Sequence, residues 1–236
     1  MTIWTRIADF VFDTAGGALA TIIEQVRTVF EGDPETRSRV AFSVAMIALS
    51  AKMAKADGVV TADEVDAFRD IFEIPAQEAH RVSSLYNLAK QDTAGFEAYA
   101  AQMARLCGND GHDCPALYDI LDGLFHIAKA DGVVHDKEIA FLRRVAEIFQ
   151  LTPRAFESVL ARHVSTPDQD PWSILGIDRD ADFETARRAY RQLAREHHPD
   201  ALAARGIPEE FRRIGNDRIA AINAAWEIVR ESYKRA

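Results

Sequence analysis

One heptapeptide occurs twice in this chain. Ala54-Lys55-Ala56-Asp57-Gly58-Val59-Val60 returns 74 residues later as Ala128-Lys129-Ala130-Asp131-Gly132-Val133-Val134. The correspondence continues beyond it. Glu64 matches Glu138, Val65 matches Ile139, Phe68 matches Leu142, Arg69 matches Arg143, Ile71 matches Val145 and Ile74 matches Ile148. Each copy has the pattern of helix, short loop, helix: apolar residues fall at helical spacing on both sides of a glycine. Gly58 and Gly132 are placed to end the first helix of each copy. Thr61-Ala62-Asp63-Glu64 then has the form of a capping box for the second helix. His135 stands in the position of Thr61, so that cap is expected to be weaker or supplied differently. The chain is therefore expected to be all-α, with two pseudo-repeated helical hairpins and linking helices.

The rest of the first part is helical too. Glu31-Gly32-Asp33-Pro34 reads as a turn, and a helix follows from about Glu35 to Ala56, with Val44, Ile47, Ala48 and Ala51 on its buried side. Before the turn, residues 1–34 form N-terminal amphipathic helices. Ile3, Ile7, Phe10 and Val11 make one stripe; Leu19, Ile22, Ile23, Val26 and Phe30 make another, with Gly16-Gly17 between them. Trp4 and the phenylalanines raise an in-plane membrane helix. Acids on the polar side oppose anionic lipid, so packing onto the next domain is preferred, and these helices are also a candidate homodimer surface. The longest run without Asp, Glu, Lys or Arg is Val40 to Ala51, far short of the roughly 20 apolar residues of a spanning helix. Arg6, Asp9 and Asp13 break up the start, which lacks the pattern of a signal peptide. A cytoplasmic protein is expected. Cys107 and Cys114, flanking His112, fit no usual zinc spacing. They read as unpaired thiols of a reduced compartment, in a connection that Gly108 opens and Pro115 closes.

Charge is unevenly placed. Residues 170–236 hold 12 acidic and 12 basic side chains, so the first 169 residues carry the whole net charge of −9. So acidic an N-terminal part excludes nucleic acid as its main partner, because phosphate binding needs clustered Lys and Arg.

The second informative stretch runs from Ala189 to Asp200. Phe183, Ala186, Tyr190, Leu193, Ala194 and His197 lie on one side of a helix, and Arg187, Arg188, Arg191 and Arg195 on the adjoining side. Pro199 ends that helix, since it has no N–H and disfavours helical backbone at His198. An imidazole, a rigid ring and a carboxylate are thus presented at a helix terminus.

His198-Pro199-Asp200 in this setting resembles the J domain of DnaJ-type co-chaperones. Asp170 to Ile177 is similar to that family's first helix, Ala189 to Ala194 to the end of its second, and Ile219 to Val229 to its third. The repeat, with its Ala-Asp-Gly-Val-Val elements, resembles the TerB-like all-helical domain over roughly residues 37–162. TerB-like first and J domain last is the order of the DjlA-type co-chaperones, whose loop after the tripeptide is similar to Ala201 to Glu209. That type usually begins with a membrane-spanning helix, and none is legible here. The division expected is 1–34 N-terminal helices, 35–162 TerB-like domain, 163–169 linker (a short polar stretch broken by Pro167) and 170–236 J domain.

The resemblance implies a co-chaperone that stimulates ATP hydrolysis by a DnaK-type chaperone. His198, Pro199, Asp200, Arg187, Arg188, Arg191 and Arg195 would make the contact, and the TerB-like domain would choose protein partners or clients. No phosphate-binding glycine loop or nucleophile motif is present, and a three-helix module is too small to enclose a substrate, so no enzyme and no cofactor are expected. The alternative is a metal- or stress-sensing module, tethered by the J domain, in which Asp57 with Glu64 and Asp131 with Glu138 hold a hard cation. Helix capping accounts for much of that acidity, and no metal site is assigned.

Overall fold

Proline and local caps start the helices. A computed structural model describes residues 34–56, 80, 83, 84, 87, 95–106, 114–164, 170–204 and 212–235. The order is α1 (Pro34–Ala56), α2 (Phe96–Leu106), α3 (Pro115–Ala128), a 3₁₀ turn (Lys129–Asp131), α4 (Asp136–Ile148), α5 (Pro153–His163), α6 (Pro171–Ile174), α7 (Phe183–Glu196), α8 (Pro199–Ala204) and α9 (Arg212–Arg235). No strand occurs among the described residues, and the chain is all-α as expected. Proline is the first residue of α1, α3, α5, α6 and α8, where its missing N–H costs nothing. Side-chain oxygens of Thr152, Asp170 and Asp182 accept first-turn N–H groups of α5, α6 and α7.

α1 departs from the one-sided burial expected of it. Every residue from Phe42 to Ala54 is buried. Its composition permits this. Lys52 is the sole charge in that stretch, its ammonium 5.3 Å from the centroid of the Tyr99 ring. The Ser50 hydroxyl donates back to the Met46 carbonyl at 2.6 Å, so its burial leaves no orphan donor. The core that α1 enters also holds Tyr99 and Met103 of α2, Leu121, Leu124 and Phe125 of α3, Leu142 and Val145 of α4, and Phe156 and Val159 of α5.

The second copy of the repeat is α3, the 3₁₀ turn and α4. Gly132 closes the turn with φ 95°, its N–H donating to the Lys129 carbonyl at 2.8 Å. A side chain there would be strained. α4 nevertheless begins with a capping box, the device read for the first copy: the His135 backbone N–H donates to Glu138 Oε2 at 2.8 Å, and Glu138 is buried. The continuation of the first copy, with Asp57, Gly58 and Thr61 to Glu64, lies outside the described residues. So do residues 1–33, with the membrane and dimer readings placed on them, and the stretch from Cys107 to His112.

One expectation is overturned. Cys114 is disulfide-bonded, not a free thiol. The inference from unpaired thiols to a reduced compartment falls with it.

The C-terminal elements form a second, smaller core of Ile174, Leu175, Ile177, Ala186, Ile222, Ala225, Trp226 and Val229. Tyr190 of α7 stacks on Trp226 of α9 with centroids 4.9 Å apart, and its hydroxyl donates to Asn223 at 3.1 Å. The two cores also meet. Leu202 of α8 and Ile214 of α9 belong to the larger, α1–α5 core. α9 approaches α8 so closely at Gly215 that a Cβ there would lie 2.4 Å from Leu202 Cδ1. Ser158 of α5 adds a hydrogen bond to the Ile174 carbonyl of α6 at 2.9 Å.

Candidate functional site

α7 stops where the sequence says it must. The His197 N–H makes the last helical bond, to Leu193 at 2.9 Å, and Pro199 bars His198 from continuing. Pro199 does more than stop a helix: it opens α8. The His198 carbonyl accepts the N–H groups of Ala201 at 2.9 Å and Leu202 at 3.1 Å, so the tripeptide is a corner between two helices. The Asp200 N–H donates to His198 Nδ1 at 3.2 Å. The side chains of His198 and Asp200 are 59% and 94% exposed. Arg188, Arg191 and Arg195 are exposed at successive turns of α7 leading to this corner. Arg187 is half-buried and pairs with Glu184 at 3.1 Å. Arg188 donates to the Thr185 hydroxyl at 3.1 Å. The structure thus places all seven predicted residues on one helix and the turn it runs into.

Beneath the corner lies a cluster that sequence reasoning misses. Arg218 of α9 donates from Nε to Asp122 Oδ2 at 2.8 Å and from Nη1 to Asp119 Oδ1 at 2.5 Å. Its Nη1 also lies 2.8 Å from His197 Nδ1. Arginine only donates, so Nδ1 accepts and the His197 proton sits on Nε2. On its other oxygen, Asp122 accepts from Arg162 of α5 at 2.7 Å and lies 3.1 Å from His163 Nε2. Tyr118 of α3 completes the cluster, stacked on His197 with centroids 5.1 Å apart. The guanidinium carbons of Arg162 and Arg218 lie 5.5 and 5.4 Å from its centre. Two carboxylates thus meet two guanidiniums in a buried place, and the charges cancel. The signal available in the sequence is Asp119 and Asp122, two acids three residues apart within the otherwise apolar α3.

Burial by itself would raise the Asp122 carboxyl, but the Arg218 and Arg162 guanidiniums hold it well below the usual carboxylate range. Burial likewise opposes the charge on Arg218, and Asp122 and Asp119 outweigh it, keeping the guanidinium charged. Burial pushes the His163 imidazole below its ordinary 6.5, an effect only partly offset by the hydrogen bond to Asp122. A neutral His163 then donates from Nε2. The unfolded chain takes up a proton here as the pH falls through about 6.5, while the folded chain resists it. Stability is therefore complete above that value and declines as the pH drops towards the depressed folded value. His163→Asn keeps an amide donor for Asp122 without a titration. Urea unfolding at about pH 7.5 and about pH 5.5 is expected to show a smaller loss for this variant than for the wild type; equal losses would discard the assignment.

Among the described residues no three His, Cys, Asp or Glu side chains group as a metal centre requires. Of the carboxylates considered for a cation, Glu138 is engaged as a cap; Asp57, Glu64 and the Asp131 side chain lie outside what the structure describes. No described helix is long and apolar enough to cross a membrane.

An exposed His-Pro-Asp corner, reached by a basic helix that packs on a longer partner helix, defines a J-domain protein. The family model of the DnaJ domain matches residues 170–236, and that of tellurite resistance protein TerB matches residues 43–161, half of the chain. By these matches the chain belongs to the TerB family and carries a J domain after its TerB-like domain, and it is similar along most of its length to co-chaperone proteins named DjlA. The co-chaperone protein DjlA of Photobacterium profundum is 27% identical over 216 residues, spanning 80% of this chain and 77% of that protein. The one from Aliivibrio fischeri is 24% identical over 237 residues, covering 85% and 81%. That of Haemophilus influenzae is 36% identical over 69 residues, 29% of this chain and 24% of that protein. No solved structure matches the chain.

Proposed function

We propose that the chain docks on a DnaK-type chaperone in its ATP state and stimulates ATP hydrolysis there, without catalysing any reaction itself. His198, Pro199, Asp200, Arg187, Arg188, Arg191 and Arg195 make the contact. The observation that carries this is the exposed His198-Pro199-Asp200 corner with exposed arginines along the helix leading to it. Asp200 is exposed enough to accept charge-assisted hydrogen bonds from a partner arginine, and Pro199 stiffens the turn. The arginines steer the encounter with an acidic surface. Binding that favours one conformation of the partner shifts its population, which is enough to change its hydrolysis rate. Residues 35–162 act as the domain that selects partners or clients, joined through 163–169 to the J domain at 170–236, with residues 1–34 preceding both. ATP-dependent work by the partner makes the cytoplasm the proposed setting.

The test is single-turnover ATP hydrolysis by a DnaK-type chaperone with and without this chain, across a salt series. Stimulation that weakens with salt is expected. Arg191→Glu with Arg195→Glu should slow association about tenfold at low salt and flatten the salt dependence, as loss of steering does. No stimulation by the wild type, with the chaperone of the same cell, would end the proposal.

A further inference from the structure

The buried ion cluster joins the N-terminal bundle to the base of the exposed corner. We propose that Asp119 and Asp122 act through Arg218 and His197 as positioning residues for the His198-Pro199-Asp200 corner. The TerB-like domain thereby sets how the corner is presented to a partner. This rests on the proposed function for its consequence, but not for its geometry.

The corner is held at both ends and free at its tip. At the near end, His197 ends α7 and is buried. Its ring lies against Tyr118 of α3, and its Nδ1 accepts from Arg218 at 2.8 Å. Arg218 is itself held by Asp119 and Asp122 of α3, at 2.5 and 2.8 Å. At the far end, Leu202 is buried in the α1–α5 core beside Gly215, which leaves room for it. Between these anchors, His198 and Asp200 point to solvent. A turn fixed at both ends loses less conformational entropy when a partner orders it, which favours affinity. None of Asp119, Asp122 and Arg218 is in the exposed set that would touch the chaperone, so any effect they have on docking passes through the loop.

The test uses the full chain with Asp119→Asn, Arg218→Lys and Arg218→Met. Asp119→Asn keeps the shape of the site and leaves Arg218 paired with Asp122, so it remains a usable probe if Arg218→Met does not fold. Two quantities are read: ¹⁵N relaxation of the backbone over residues 197–202, with the imidazole ¹⁵N shifts of His197, and the concentration of chain giving half-maximal ATPase stimulation. The wild type is expected to show an ordered corner and a neutral His197 protonated on Nε2. Asp119→Asn should loosen residues 198–201 and raise the half-maximal concentration about tenfold with the maximal stimulation kept, the signature of lost preorganisation. Arg218→Lys should fall between wild type and Arg218→Met. An unchanged corner in Asp119→Asn and Arg218→Lys overturns the proposal, whatever the ATPase shows. An unchanged half-maximal concentration beside a loosened corner also overturns it, as the cluster would then only join the domains. A wild type that stimulates nothing ends the proposed function instead, and the relaxation data alone then decide the positioning.

Discussion

His198→Gln is expected to abolish stimulation of the chaperone while leaving the chain folded. The two halves of this expectation have separate physical grounds. The imidazole is mostly exposed, and its described contacts are local, to the N–H and carboxylate of Asp200. Exposed substitutions of this kind change stability by no more than about 0.5 kcal/mol. The tip of the corner is where the proposed contact concentrates, so a loss of tenfold or more in stimulated rate is expected, about 1.4 kcal/mol per decade. Single-turnover hydrolysis with matched melting curves checks both halves. A variant that melts like the wild type and still stimulates fully would show that the contact lies elsewhere, with the arginines of α7 next to be tested.

The largest effect on stability is expected from Asp122→Ala. This carboxylate satisfies Arg218 and Arg162 together, and the side chains of all three are almost wholly buried. Removing it leaves Arg162 with no carboxylate and Arg218 with Asp119 alone, so one buried positive charge goes unbalanced, at a cost of about 3 to 5 kcal/mol for a broken buried pair. That is a large share of the roughly 5 to 15 kcal/mol by which domains are stable. Urea unfolding measures it directly. A loss below about 1 kcal/mol would mean that water reaches both arginines in solution, and that the packing of α9 on α3 is looser than the structure has it. Replacing the whole cluster by apolar residues of similar volume is a different experiment, since no charge is then stranded and much of the loss should be recovered.

The two cores are chemically unlike where they meet, and this explains why one substitution can reach both. Leu202 and Ile214 carry apolar contact into the larger core, while Arg218 carries charge into it. The apolar contacts hold the smaller unit against the larger one with little directional preference. The two carboxylates and the guanidinium, by contrast, are satisfied only in one relative placement, because buried donors and acceptors must meet at hydrogen-bonding distance.

Much of this protein is legible in the sequence, because local chemistry decides it. The repeated heptapeptide with Gly132 dictated the helix–turn–helix of α3 and α4, and Pro115 marked the start of α3. The spacing of Ala186, Tyr190 and Leu193 gave the packed side of α7; Arg188, Arg191 and Arg195 gave its exposed one. Pro199 dictated the corner. Each of these depends on residues within a few positions of one another, through backbone restriction or helical periodicity. Tertiary structure alone decided the rest. The all-round burial of α1 follows from how many neighbours surround it, which its own composition permits but does not require. The disulfide at Cys114 needed a second sulfur to reach it, which spacing along the sequence does not state. Asp119 and Asp122 read as two acids in an apolar helix until α5 and α9 bring Arg162 and Arg218 to them from 40 and 96 residues away. Charges so distant along the chain carry no local mark of their pairing. Only the packing of one core on the other turns them into the support of an exposed corner.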